Sequence, residues 1–249
     1  MPGPDTGDLT ISSAPFTCLA IETATDQASV ALLVGGRALV RESRGLRAPS
    51  RNVYEWIGEL LAEARIGLGA LDCVAYGAGP GSFTGTRVGV AVAQGLGFAR
   101  GLPLCPVSTL AALAEGAFRT TAAPAVACCL DAHMGEVYLG AYRRDPDAGV
   151  LPLMTDTLVA PGAVELPDGH AFVAVGPGWL AYPDALTRLG GAMTALDADR
   201  LPSAIDVASL AARSFRAGHR VAPAAARPNY LRQRVATVAG TAPAGKVQA

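Results

Sequence analysis

Lysine is almost missing from this chain. Of 20 basic residues only Lys246 is a lysine; the rest are arginines. That excludes the chemistry of a buried amine: a Walker-A phosphate clamp, a Schiff base or a lysine general base. Histidine is scarce too, with only His133, His170 and His219. No H-E-x-x-H or H-x-x-x-H spacing occurs, which argues against a metalloprotease helix. Charged residues make up 16% of the chain, against a typical share of about 25%. Aromatics, at 6%, are too few for base-stacking platforms to dominate the surface. The net charge of -1 excludes a globally basic nucleic-acid coat. The cysteines (Cys18, Cys73, Cys105, Cys128, Cys129) are odd in number, lie in apolar runs and form no C-x-x-C. They read as small core residues in a reducing compartment, with neither a disulfide framework nor a metal site. The longest nearly apolar stretch, Val88 to Ala99, falls short of the roughly 20 residues that span a bilayer. The first residues carry Asp5 and Asp8 with no basic or apolar targeting region. A cytoplasmic protein with no membrane partner is expected, with residues 1–16 as a flexible tail.

What is present is core-forming. Over 249 residues the hydrophobic share is 51% and the mean hydropathy +0.32. TCLAIE, ASVALLV and RALVRE read as three antiparallel strands. Gly35-Gly36 forms the tight turn between the last two. Val53, Trp56, Ile57, Leu60, Leu61 and Ala64 recur at helical spacing, behind an N-cap candidate at Ser50. A strand through Tyr76, a helix from about Thr84 to Arg100, a short strand and a helix capped by Ser108 complete a βββαβαβα order. A boundary is expected near 120. APAVACCLDAHMGEVYLGAYRR then repeats the opening unit: an apolar strand ending in an acid (Glu22, then Asp131), a turn and an alternating strand. The expected fold class is α/β, with mixed sheets carrying helices on their faces, in lobes spanning 17–120 and 121–235 and a tail from 236 to 249. Two such lobes are the pattern of the two-lobed actin-like (ASKHA, ribonuclease H-like) fold, which by itself does not establish function.

The most specific stretch runs from Tyr76 to Gly89, YGAGPGSFTGTRVG. A glycine-rich turn before a helix can bind anions. Here there is no G-K-[ST] and no G-x-G-x-x-G, and Pro80 removes an amide donor. Within the helix behind it, Gly85, Gly89, Ala93, Gly97 and Gly101 recur every four residues. Each interior glycine costs about 1 kcal/mol relative to alanine, so something must pack closely along that ridge. The residues leave two readings open, the chain's own sheet or another subunit. Trp56 is likewise core or interface anchor. Ser82 does not stand in a G-x-S-x-G elbow. The turns after Glu22 and Asp131 carry at most one glycine, so independent ATP hydrolysis is not expected. From residue 201 onward the chain has seven basic residues and one acid, Asp206. That run reads as a solvated helix face or as a contact for RNA phosphates.

LAIETATDQASVAL, AYGAGPGSFTGTRVGVAVAQGLGFA, PVSTLAALAEGA, LDAHMGEVYLGAY, GPGW and PNYLR together resemble the bacterial TsaB (YeaZ) family. GPGSFTGTRVG and DAHMGEVY are highly specific to it. The resemblance implies a role in placing N6-threonylcarbamoyladenosine at adenosine 37 of tRNAs that read codons beginning with A. It implies a non-catalytic subunit that pairs with the transferase TsaD and the ATPase TsaE, forms a homodimer when alone, and meets tRNA mainly through the complex. It implies no tightly bound cofactor or metal, with ATP or ADP at the subunit interface. Family contacts use helices of the first lobe, which turns the open choice toward an interface at Val53, Trp56, Ile57, Leu60, Leu61, Gly85, Gly89, Ala93 and Gly97. Nucleotide contact falls to Gly79, Gly81, Ser82, Thr84, Arg87, Glu22 and Asp131. Two departures stand out: Glu22 where the family usually has aspartate, and RAPSRN at 47–52 where relatives often carry a histidine. The older glycopeptidase label finds no chemical support in these residues.

Overall fold

The computed structural model describes residues 16–45 and 49–232, with the backbone alone for 49–51. The first sheet begins with β1 (Thr17–Glu22), β2 (Gln27–Val34) and β3 (Arg37–Arg44). β1 and β2, and β2 and β3, pair antiparallel. Val34 pairs with Arg37 across Gly35 and Gly36, whose φ angles of 57° and 88° suit a two-residue hairpin turn. Helix α1 (Pro49–Ala64) follows, then β4 (Cys73–Gly77), α2 (Phe83–Arg100), β5 (Leu104–Val107) and α3 (Thr109–Thr120). Ser108 caps α3, its hydroxyl accepting from the Ala111 amide at 3.2 Å. Ser50 is not the N-cap of α1: the helix already starts at Pro49, whose fixed φ and missing N–H suit a first turn.

The second half repeats this topology. β6 (Ala125–His133), β7 (Glu136–Asp145), β8 (Gly149–Pro152), β9 (Thr157–Val159), β10 (Phe172–Val175) and β11 (Met193–Asp197) form a sheet in the order β11-β10-β6-β7-β8, with β9 also on β7. The first sheet runs β3-β2-β1-β4-β5. In each, a meander lies beside two parallel strands; α1 and α2 lead into those of the first sheet, and in the second the two short helices described next precede β11. Short helices α4 (Gly178–Ala181) and α5 (Pro183–Leu189) and the longer α6 (Ala204–Arg216) complete the chain.

Strand alternation sorts the core into three clusters. Leu19, Ile21, Val30 and Leu32 point to α1 and α2. Cys18, Ala20, Ala31 and Leu33 point the other way, toward α6. Val126, Cys128, Leu130 and Tyr142 of the second sheet face that same central layer, where α3 lies against α6. Ala125, Ala127, Leu139 and Phe172 bury Trp179 and Ala185 of α4 and α5. The layers therefore run helix, sheet, helix, sheet, helix, and one apolar cluster joins the two sheets. Two placements depart from the sequence reading. Phe16, assigned to a tail, is 8% exposed and lies in the central cluster. The chain after α6 returns to the first sheet, where Val221 bridges Leu104 at the β5 edge. The expected tail at 236–249 lies outside the described residues. All five cysteines are buried and unbridged. Among the described residues no helix is long and apolar enough to cross a membrane.

Candidate functional site

The glycine-rich motif is built around the β1–β2 turn. Ser82 N–H donates to the Ala24 carbonyl at 2.7 Å, and Thr23 Oγ1 donates to the Gly85 carbonyl at 2.7 Å. A side chain at Gly81 or Gly85 would strike the carbonyl of Ala24 or Thr23. At Gly89 a Cβ would stand 2.8 Å from Thr23 Oγ1, and at Gly97 2.8 Å from Pro223 Cγ. The ridge of small residues thus lets α2 lie against its own sheet, the β1–β2 turn and the returning C-terminal segment. Ser82 Oγ accepts from the Gly85 amide at 3.3 Å, which makes it the N-cap of α2.

This corrects the expected partner surface. Val53, Leu60 and Ala93 are fully buried, Ile57 and Trp56 nearly so, and Gly89 and Gly97 are enclosed within the chain; Leu61 and Gly85 are half-buried. The helical period marks the inward stripe, and of the expected residues Leu61 also borders the outward face. The outward faces carry a second stripe. On α1 it runs Tyr54, Gly58, Leu61; on α2 it runs Thr84, Val88, Ala91, Gly95, Phe98. Tyr54 is 65% exposed and Phe98 63%. A Cβ added at Gly58 or Gly95 would meet nothing within 4 Å.

Glu22 ends β1 and is completely buried. Its Oε1 accepts from the Ala24 amide at 2.7 Å, and its Oε2 from Thr109 Oγ1 at 3.1 Å. Thr109 Oγ1 in turn accepts from the Gly79 amide at 3.2 Å. Gly77 must be a glycine here, because a Cβ would collide with the Glu22 carboxylate. Burial pushes the Glu22 carboxyl up to about 7, against the opposing pull of the Ala24 amide and Thr109 hydroxyl. Glu22 is therefore a brace between β1, the glycine-rich turn and α3.

Folded Glu22 holds its proton to higher pH than the unfolded chain does. Its contribution to stability is full below about 4.5 and is lost as pH rises through about 7. Glu22→Gln, a neutral replacement of the same shape, is expected to remove that slope. Urea denaturation at pH 5 and pH 8 checks it: wild type should lose more stability over this interval than the variant, by about 2.5 kcal/mol. Equal pH slopes would show that Glu22 is ionised in the folded state.

A cleft of about 790 Å³ opens between the halves. The β1–β2 turn, the start of α2, the β6–β7 turn and residues 229–232 line it. Of the expected nucleotide contacts, Gly81, Ser82, Arg87 and Asp131 reach its wall. Glu22 and Gly79 lie outside its lining, and exposed Thr84 does not line it either. The Arg87 guanidinium sits 3.6 Å from the Phe83 ring centroid, and its Nε donates to Tyr230 Oη at 2.6 Å. Asp131 accepts from the His133 amide at 2.8 Å and pairs with His133 Nδ1 at 3.2 Å. His133 and Met134 both have positive φ, at 58° and 57°. Such backbone costs of order 1–3 kcal/mol per residue. Arg232, expected only as part of the basic run after 201 and of PNYLR, clamps this turn by donating to the carbonyls of Ala132 and His133 and pairing with Glu136 at 2.7 Å.

The Ala24 amide is spent on Glu22 and the Ser82 amide on Ala24, and on the wall Asp26 and Asp131 stand with Arg87 and Arg232. Ser82 Oγ serves as a cap, and among the described residues it has no hydrogen bond to a histidine or carboxylate. Among the described residues no three of His, Cys, Asp or Glu converge closely enough to hold a metal ion.

Known proteins carry the same pattern. The family described as "TsaD: tRNA N6-adenosine threonylcarbamoyltransferase" matches residues 44–165. The chain is 37% identical over 222 residues to the tRNA threonylcarbamoyladenosine biosynthesis protein TsaB of Escherichia coli, covering 88% of this chain and 95% of that one. To the TsaB of Haemophilus influenzae it is 35% identical over 230 residues, with the same coverage. The solved structure of YeaZ from Pseudomonas aeruginosa superposes with a TM-score of 0.81 at 38% identity, covering 87% of this chain and all of that one.

Proposed function

The chain belongs to the TsaB family and has a role in tRNA threonylcarbamoyladenosine biosynthesis, and we propose that it acts there as a non-catalytic subunit that braces a TsaD-class transferase. The observation that carries this reading is the outward stripe of α1 and α2. Small and apolar side chains at 54, 58, 61 and at 84, 88, 91, 95, 98 leave two adjacent helices able to receive two more at close range. Exposed Tyr54 and Phe98 are of the kind that anchor interfaces. The same face would serve a homodimer when the partner is absent, because a two-fold contact uses one patch twice.

The non-catalytic assignment is supported by how the expected reactive groups are used. Glu22 braces the fold, Ser82 caps a helix, and Asp131 holds a strained turn. ATP or ADP belongs, on this reading, at the junction with TsaD and the ATPase TsaE and not in the cleft. A tightly bound cofactor is not needed. The competing reading, a stand-alone ATPase or peptidase, requires turnover by the purified chain.

Light scattering after size exclusion tests the proposal. The chain mixed with the TsaD-class protein of the same source should elute as a complex with the mass of both. Separate elution of the two at micromolar concentration would contradict it.

A further inference from the structure

Between 207 and 232 the chain carries five arginines and no acid. The fold uses three of them internally. Arg213 donates to Glu115 Oε1 at 2.7 Å and to Ser209 Oγ at 2.9 Å. Arg227 donates to the carbonyls of Ala224 and Ala226. Arg232 clamps the β6–β7 turn. Arg216 and Arg220 are left, both exposed and neither in an ion pair among the described residues.

These two are nevertheless held in place. The Arg216 guanidinium lies 5.5 Å from the Phe16 ring centroid, and that of Arg220 lies 5.0 Å from the Phe215 ring. The two rings are 5.2 Å apart. Phe16 is anchored in the central core and Phe215 packs against it. Stacking on a ring restrains a guanidinium while leaving its N–H groups free to donate outward. Complementing the α6 dipole does not explain the pair. That effect fades within the last turn, whereas Arg220 lies beyond the helix end and past Gly218.

We propose that Arg216 and Arg220, mounted on the Phe16–Phe215 pair, form a docking point for the phosphodiester backbone of an RNA. Planar guanidinium forks match phosphate oxygens bidentately, and contacts of this kind position an RNA without reading its sequence. The choice of RNA rests on the biosynthetic role above, whose modified product is a tRNA. An acidic protein surface would meet the same two charges, and the test separates it.

The test uses the full chain together with its TsaD-class partner and an unmodified tRNA transcript as the probe. Binding is followed by fluorescence anisotropy from 50 to 200 mM salt. Each phosphate contact contributes about 0.7–0.9 to the slope of log affinity on log salt. The double variant Arg216→Gln, Arg220→Gln should flatten that slope by about 1.4–1.8, with its largest affinity loss at low salt. Arg216→Lys with Arg220→Lys, which keeps the charges, should restore most of it. Complex formation, read by light scattering on the same samples, should be unchanged in both variants. If complex formation fails even for wild type, the bracing proposal falls; the salt slope of the chain alone then still judges the RNA contact. Unchanged affinity and slope in the glutamine variant would overturn the inference. So would loss of binding to a polyglutamate probe with tRNA binding intact, which would assign the pair to an acidic protein.

Discussion

Gly95→Arg is expected to leave the chain folded and to abolish its association with the TsaD-class partner. Gly95 lies in the middle of the outward stripe of α2, and a Cβ there meets nothing within 4 Å. Arginine is also a better helix former than glycine by most of a kcal/mol. The isolated chain should therefore keep or slightly raise its thermal midpoint. In a close helix–helix contact the same side chain has nowhere to go, and its charge would be desolvated without a partner. Affinity should fall at least about 100-fold, equivalent to about 2.7 kcal/mol. Calorimetric titration measures the affinity, and circular dichroism confirms the fold. Wild-type affinity in the variant would place the interface elsewhere.

Gly85→Ala and Gly89→Leu are expected to do the reverse, damaging the chain itself. At Gly85 even a methyl group would meet the backbone carbonyl of Thr23, which is tied to α2 by its own hydroxyl contact to Gly85. A backbone atom cannot rotate away as a side chain can. At Gly89 the obstacle is Thr23 Oγ1, and a leucine extends further into Ile21 and the sheet. Overpacking of this sort costs about 1–3 kcal/mol, and more where the backbone must move. Gly85→Ala should lower stability in urea by that amount. Gly89→Leu should yield little soluble protein. Gly95→Ala is the matched control, with an expected gain of about 0.5–1 kcal/mol. If all three behaved alike, the inward and outward faces of α2 would be misassigned.

The contrast between those faces explains what sequence reasoning could reach. Apolar periodicity set the phase of α1, the glycine spacing that of α2, and Gly35-Gly36 the hairpin of β2 and β3, because these signals are local. A stripe of glycines records only that something approaches closely. It does not say whether the neighbour is the chain's own β1–β2 turn, and here it is. The outward stripe was also visible, at 84, 88, 91, 95 and 98, but its mixture of threonine, valine, alanine, glycine and phenylalanine has little hydrophobic contrast. Glu22 could be singled out from its place at the end of β1. Its enclosure by Gly77, Thr109 and Ala24 depends on contacts between residues up to 87 apart, and no window along the chain contains them. The clamp that Arg232 makes on the β6–β7 turn and the aromatic seat of Arg216 are hidden for the same reason. Between 149 and 197 the elements are only three to seven residues long, too short for either period to emerge.

The bracing role is tested most directly by reconstituting the modification from purified components of the same source. Threonylcarbamoyladenosine on a tRNA transcript is measured by mass spectrometry with this chain present, absent, or replaced by Gly95→Arg. Product should form with the wild-type chain and fall to background in the other two reactions, while the chain alone hydrolyses neither ATP nor peptide. Full product formation without the chain, or with Gly95→Arg in its place, would contradict a bracing function for the outer face of α1 and α2.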